Sequence, residues 1–143
     1  MSETPASSTA RYGKLEALSE DRCWQLLSQR QYGRLAVSIQ GRPDIFPVNY
    51  RVDDETIVVK TAAGLKLAAA TLGAGVAFEV DAIDELHHSG WSVVVVGTAV
   101  ELENLDELLE ADRLLLAPWA GDGKNRYVRI HPEQITGRHL PAD

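Results

Sequence analysis

Between Gly33 and Thr61 the sequence repeats with a period of two and is broken twice by turn-forming residues, a pattern that few folds accept. Leu35, Val37 and Ile39 alternate with Arg34, Ala36 and Ser38, so a strand with one apolar face is expected from Gly33. Gln40-Gly41-Arg42-Pro43 then turns the chain. A second strand runs from about Asp44 to Val52 with Pro47 inside it. Proline gives no N–H to a ladder, so this strand is at an edge, or irregular, at that point. Asp53-Asp54-Glu55 turns the chain again, and Thr56 to Thr61 forms a third strand with Ile57, Val59 and Thr61 on one face. Turns this tight force antiparallel pairing.

The flanking segments fit the same plan. Residues 1–12, rich in Ser, Thr and Ala, read as a loose tail, and residues 13–143 as one domain. Ser19 is placed to cap a helix that carries Glu20 and Asp21 in its first turn and ends near Gln31. A second helix starts near Ala63 and stops at Gly73 and Gly75. Val76 to Ile83 is a strand, Asp84 to Gly90 a loop and Trp91 to Glu103 a long strand. Asn104 with Glu107 forms a capping-box pattern for a last helix. Tyr127 to Ile130 and Ile135 to Leu140 read as short closing strands. The expected fold is mainly β: a six- or seven-stranded antiparallel barrel with about three short helices. Val93 to Val96 are apolar on both faces of the long strand. One face therefore fills the barrel and the other is covered, by a second subunit or by one of the chain's own helices.

A net charge of −7 excludes the broad basic footprint of a nucleic-acid or anionic-membrane binder. No apolar run approaches the ~20 residues of a membrane helix. No signal-like core opens the chain, and one isolated cysteine suits a reducing compartment. A soluble, cytoplasmic protein is expected.

Chemistry concentrates at Thr61-Ala62-Ala63-Gly64-Leu65-Lys66. A helix N-terminus offers unpaired N–H groups and the positive end of a dipole. Gly64 admits close backbone approach, Lys66 adds a charge and Thr61 a hydroxyl, a set that suits phosphate. A solvated lysine in an ordinary strand-to-helix turn is the competing explanation. Glu79 and Asp81 share one face of their strand and suit either acid–base work or pairing with arginine. His87 and His88 lack metal-ligand spacing, and Cys23 reads as a buried structural thiol. Trp91 and Trp119 suit core packing or stacking on a flat ligand.

Four stretches, in this order and spacing, carry a family likeness: Gly33-Arg34-Leu35-Ala36; Phe46-Pro47-Val48-Asn49-Tyr50; Thr61 to Leu67; and Phe78-Glu79-Val80-Asp81 followed by Gly90 to Gly97. The chain resembles the pyridoxamine 5'-phosphate oxidase-like flavin-binding split-barrel proteins, particularly their short actinobacterial-type members, over roughly residues 18–140. The resemblance implies a split barrel and a homodimer with FMN at the subunit interface. It implies that Pro47, Val48, Asn49 and Tyr50 run along the flavin, some through backbone. Thr61 and Lys66, with Lys60, would hold the phosphate, and Trp91 and Ser92 would arrive from the partner subunit. The phosphate turn departs from richer members in having a single basic residue, for which Arg51 or Arg129 could compensate. No segment matches the C-terminal basic and aromatic stretch that holds substrate in true pyridoxamine-phosphate oxidases, so vitamin B6 oxidation is not expected.

The reading that follows is an FMN-binding oxidoreductase acting on a small molecule, with no metal. No side chain stands out as acid or base, although Tyr50 lies on the strand expected beside the ring. The alternatives are a deazaflavin-dependent reductase on the same fold, or a flavin or haem carrier or sensor without turnover.

Overall fold

The computed structural model describes residues 15–61, 75–102, 104, 106, 107, 110, 113 and 126–142, with backbone alone for Thr61 and Arg126. The elements run β1 Glu16–Ala17, α1 Glu20–Ser28, β2 Tyr32–Ile39, β3 Arg42–Asp53, β4 Thr56–Thr61, β5 Gly75–Asp84, β6 Ser89–Glu101 and β7 Arg126–Leu140. The sheet order is β1-β7-β4-β3-β2-β5-β6, and β6 also pairs with β7. That last pairing closes six strands into a barrel, and every pairing is antiparallel.

The predicted meander is β2-β3-β4, and both tight turns form where turn residues stand. Gln40 and Gly41 have φ of 53° and 79°, and Asp54 and Glu55 have 52° and 57°. Two successive positive φ values match the right-handed twist of a hairpin. Pro47 pairs with Arg34 on β2, whereas β4 joins β3 only from Asn49 onward. At Pro47 the strand is thus locally an edge, where its missing N–H costs no ladder bond.

Helix α1 ends at Ser28 rather than near Gln31, and Ser19 Oγ accepts from Arg22 N at 3.1 Å, as its capping role requires. Its Cys23, Leu26 and Leu27 are buried against the barrel. Asn104 Oδ1 accepts from Asp106 N and Glu107 N, and Asp106, Glu107, Glu110 and Arg113 are helical. The helix expected from Ala63 lies outside the described residues.

Two expectations are corrected. The closing strands Tyr127 to Ile130 and Ile135 to Leu140 are one strand, β7, carried past Pro132 by an irregularity between Val96 and Gly97. A Cβ on Gly97 would stand 2.2 Å from the His131 carbonyl oxygen, so only glycine allows that close approach. The segment before α1 also holds a two-residue strand, β1, opposite His139 and Arg138.

The core is the barrel interior. Leu35, Val48, Tyr50, Ile57, Val59, Phe78, Val80, Val93, Val95, Val128 and Ile130 are essentially fully buried, and α1 closes over one side. Tyr50 and Phe78 meet edge to face with ring centroids 4.9 Å apart. On β6 the inner valines are covered, but Val96 and Val100 on the outer face are 40% and 46% exposed. Among the described residues no helix is long and apolar enough to cross a membrane.

Candidate functional site

Alternation along β3 divides the residues predicted to follow the ligand. Val48 and Tyr50 face the core, and Pro47 and Asn49 face outward. The Tyr50 hydroxyl donates to the Leu27 carbonyl oxygen at 2.5 Å. Burial pushes this phenol above its ordinary range, more than Arg30 and Arg51 pull it back. The structure therefore removes Tyr50 as an acid–base candidate; its side chain, like that of Val48, can support a ligand only from behind the strand.

On the outer face, register assembles a row across four strands. Tyr32 on β2 stands opposite Asn49 on β3, Asn49 opposite Lys60 on β4, and Lys60 opposite Tyr127 on β7. Outward residues of a barrel this small normally meet water, yet Asn49 is 3% exposed, Lys60 5% and Tyr127 5%. Lys60 Nζ lies 5.7 Å from the centroid of the Tyr127 ring, within cation–π range. Asn49 Oδ1 is buried with no hydrogen-bond partner, a state that costs about 1–3 kcal/mol.

Beside this row lies a second one. Glu79 on β5 stands opposite Arg34 on β2, and Arg34 opposite Pro47 on β3. Arg34 Nη1 donates to Glu79 Oε1 at 3.0 Å and to Asp81 Oδ2 at 3.4 Å. The predicted sharing of one face by the two carboxylates holds, and arginine pairing is what they do. Burial, then the hydrogen bond and charge of Asp81, raise the Glu79 carboxyl to about 7, against the opposing pull of Arg34. Between Arg30, Tyr32, Arg34, Pro47 and Asp81 lies a cavity of 260 Å³. A Cβ on Gly33, in its lining, would stand 2.5 Å from the Phe78 ring, so the bare backbone there lets β2 lie close against the core.

Trp91 and Ser92 belong to neither row but adjoin the second, through Arg30 and Asp81. They line a groove of 610 Å³ with Leu15, Ile83, His88, Arg138 and Leu140. Trp91 packs against the core, with the Arg30 guanidinium 5.8 Å from its ring centroid, and Ser92 stands opposite Asp81. The chain thus gathers Pro47, Asn49 and Lys60 on the outer face of β3 and β4, while Trp91 and Ser92 line a separate groove. Thr61 pairs with Arg126 at the end of β4. Lys66 and Trp119 lie outside the described residues. Both arginines suggested as help for the phosphate turn have partners of their own on the described strands. Arg129 Nη1 bonds Asp53 at 3.0 Å and Thr56 at 2.7 Å, and Arg51 Nη1 donates to the Tyr50 carbonyl oxygen. The Cys23 thiol is buried, and burial followed by the nearby Glu20 charge raises its pKa, which makes it inert rather than nucleophilic.

Sequence reasoning did not find Tyr127 or Arg30. Tyr127 reaches Lys60 only through the β4–β7 pairing, for which no local pattern exists. Arg30 follows the end of α1 and looks like any solvated arginine.

Residues 19–139 match the family described as pyridoxamine 5'-phosphate oxidase, and the chain belongs to that family. An uncharacterized protein of Mycobacterium tuberculosis is 34% identical over 131 residues, covering 88% of this chain and 86% of its own. The solved structure of the FAD binding protein from Mycobacterium smegmatis superposes with a TM-score of 0.76 at 38% identity, covering 90% of this chain and all of that one. A FAD-binding protein from Mesorhizobium loti gives a TM-score of 0.74 at 25% identity, covering 89% of this chain and 97% of its own. The antiparallel split barrel is thus shared with proteins whose names state that they bind a flavin.

Proposed function

We propose that this protein is a dimeric flavoprotein in which a flavin nucleotide lies along the outer face of β3. The observation that carries this reading is the buried, unpartnered Asn49 Oδ1 beside buried Lys60. A polar atom kept there without an intramolecular partner is a position for a ligand donor, and a flavin ring supplies an N–H as well as acceptors. Lys60 is followed directly by Thr61 to Lys66, so a ring at Asn49 and a phosphate at that turn lie along one path. The flavin would supply hydride or electron chemistry, and the chain would bind and orient it.

Two features favour a dimer. The outer stripe of β6 exposes Val96 and Val100, an apolar surface suited to a second copy. Trp91 and Ser92 line their own groove away from Asn49, as expected if each copy lends them to the other's flavin. The family resemblance pointed to FMN, whereas two solved relatives are named for FAD and a third for FAD and haem. FAD is therefore the first choice here, with FMN sharing the same ring and proximal phosphate.

The test is the absorption spectrum of the protein purified without added cofactor, followed by chromatography of what denaturation releases. Flavin bands and released FAD support the proposal, and released FMN shifts it to the shorter nucleotide. A Soret band points to haem instead. Colourless protein that binds neither flavin overturns the reading and leaves the deazaflavin for titration. Unchanged flavin affinity in Lys66→Ala would remove the phosphate assignment.

A further inference from the structure

The cavity beside Pro47 is not used by the flavin reading, and its chemistry is distinct. We propose that it binds a small organic monocarboxylate, a single-ring or short-chain acid, held by Arg30 and Arg34 next to the flavin. The position next to the flavin rests on the function proposed above; the anion site itself rests on this chain's residues alone.

Size sets the first limit. At 260 Å³ the cavity falls below the roughly 300–1,000 Å³ of pockets for drug-sized ligands, a size that suits a small acid. The donors set the second. Among the described residues Arg30 makes no ion pair; its partner is the Trp91 ring at 5.8 Å, an interaction that leaves its in-plane N–H groups available. Arg34 meets Glu79 and Asp81 through Nη1 in both contacts, which leaves Nε and Nη2 for a ligand. Each guanidinium with open donors offers the planar, bidentate edge that recognises carboxylates.

Charge sets the third limit. The charged groups that line the cavity are Arg30, Arg34 and Asp81, and Glu79, which faces Arg34 from β2 and Asp81 on its own strand, joins them through its bond to Arg34. Its neighbour on β6 is Val94, which carries no charge. With Glu79 protonated these four groups carry one net positive charge; with Glu79 ionised they carry none. The cavity therefore matches a monoanion, and Asp81 in its wall repels a dianion such as phosphate. The proton on Glu79 that sets this balance is held to about pH 7 by burial and by Asp81, so affinity falls as pH rises through neutrality. Pro47 lines both the cavity and the face proposed for the flavin, which places the bound acid where a flavin substrate would sit.

Benzoate is the probe, titrated calorimetrically into the protein as purified at about pH 6 and about pH 8, with inorganic phosphate in a parallel arm. Saturable benzoate binding at the lower pH, several-fold weaker at the higher, is expected, with phosphate binding less tightly. Arg30→Gln, at an exposed position, is expected to weaken benzoate about tenfold or more while flavin content stays unchanged. Glu79→Gln is expected to bind benzoate equally at both pH values. Absence of saturable binding, binding unaffected by Arg30→Gln, or tighter binding of phosphate overturns the proposal. Flavin-free protein that still binds benzoate through Arg30 upholds the anion site and sinks the flavin reading. Flavin-loaded protein indifferent to benzoate does the reverse.

Discussion

On the outer face of β3 and β4, Asn49 and Lys60 are buried; on the outer face of β6, Val96 and Val100 are 40% and 46% exposed. The two regions belong to one barrel wall and invert the usual distribution in opposite senses. Polar groups withdrawn from water need partners of matching polarity, and Asn49 Oδ1 has none among the described residues. Apolar groups left in water need only cover. The first departure supports the proposed ligand position and the second the proposed protein surface. The flavin and dimer proposals therefore stand on separate observations and can fail separately.

The largest effect is expected on β6. The double variant Val96→Asp/Val100→Asp should weaken self-association by more than about 2 kcal/mol, the size of an interface hot spot. Sedimentation equilibrium would read this as monomer, with secondary structure retained because both side chains are already partly exposed. A dimer that persists would make the stripe an ordinary surface and end the contrast with β3.

The next variants use the two faces of β3 against each other. Tyr50→Phe removes the bond to the Leu27 carbonyl, which keeps its 3.3 Å bond from Arg30 N, so unfolding free energy should fall by about 0.5–1.5 kcal/mol. Flavin affinity should stay unchanged, because the hydroxyl points into the core. Asn49→Leu should act the other way. It removes an unsatisfied buried atom, so the flavin-free protein should gain stability in urea melts, while flavin affinity drops about tenfold. A loss of stability in Asn49→Leu would mean that the amide serves the fold.

The smallest effect concerns Glu79. Its carboxyl is raised from 4.5 to about 7, so the folded state holds this proton more tightly than the unfolded chain. The stabilising contribution is complete below the unfolded value and is lost as pH rises through about 7. Urea melts across that window should show a downward slope that Glu79→Gln flattens. An unchanged slope would assign it to other groups.

Much of the fold was legible locally because strands and turns are encoded by neighbours. The alternation at Leu35-Val37-Ile39, the turns at Gln40-Gly41 and Asp54-Glu55, and the caps at Ser19 and Asn104 each use interactions spanning a few residues. The site was legible in part. Pro47, Asn49 and Lys60 were named from a family likeness. Tyr50 was named with them although period-two alternation turns it inward, and the strand sequence did not show which face would carry the ligand. Arg34 and Glu79 lie 45 positions apart and meet only because β2 pairs with β5.

The sequence by itself determined the three-strand meander, which residues turn the chain and a net charge of −7, because these depend on local sterics and summed charge. The tertiary structure alone decided that β7 would lie beside β4, bringing Tyr127 to Lys60 and burying Asn49 without a partner. It also decided that Arg30 and Arg34 would border one cavity. Those outcomes depend on strand register across a closed barrel, which is set when all six strands pack around one core rather than by any single segment.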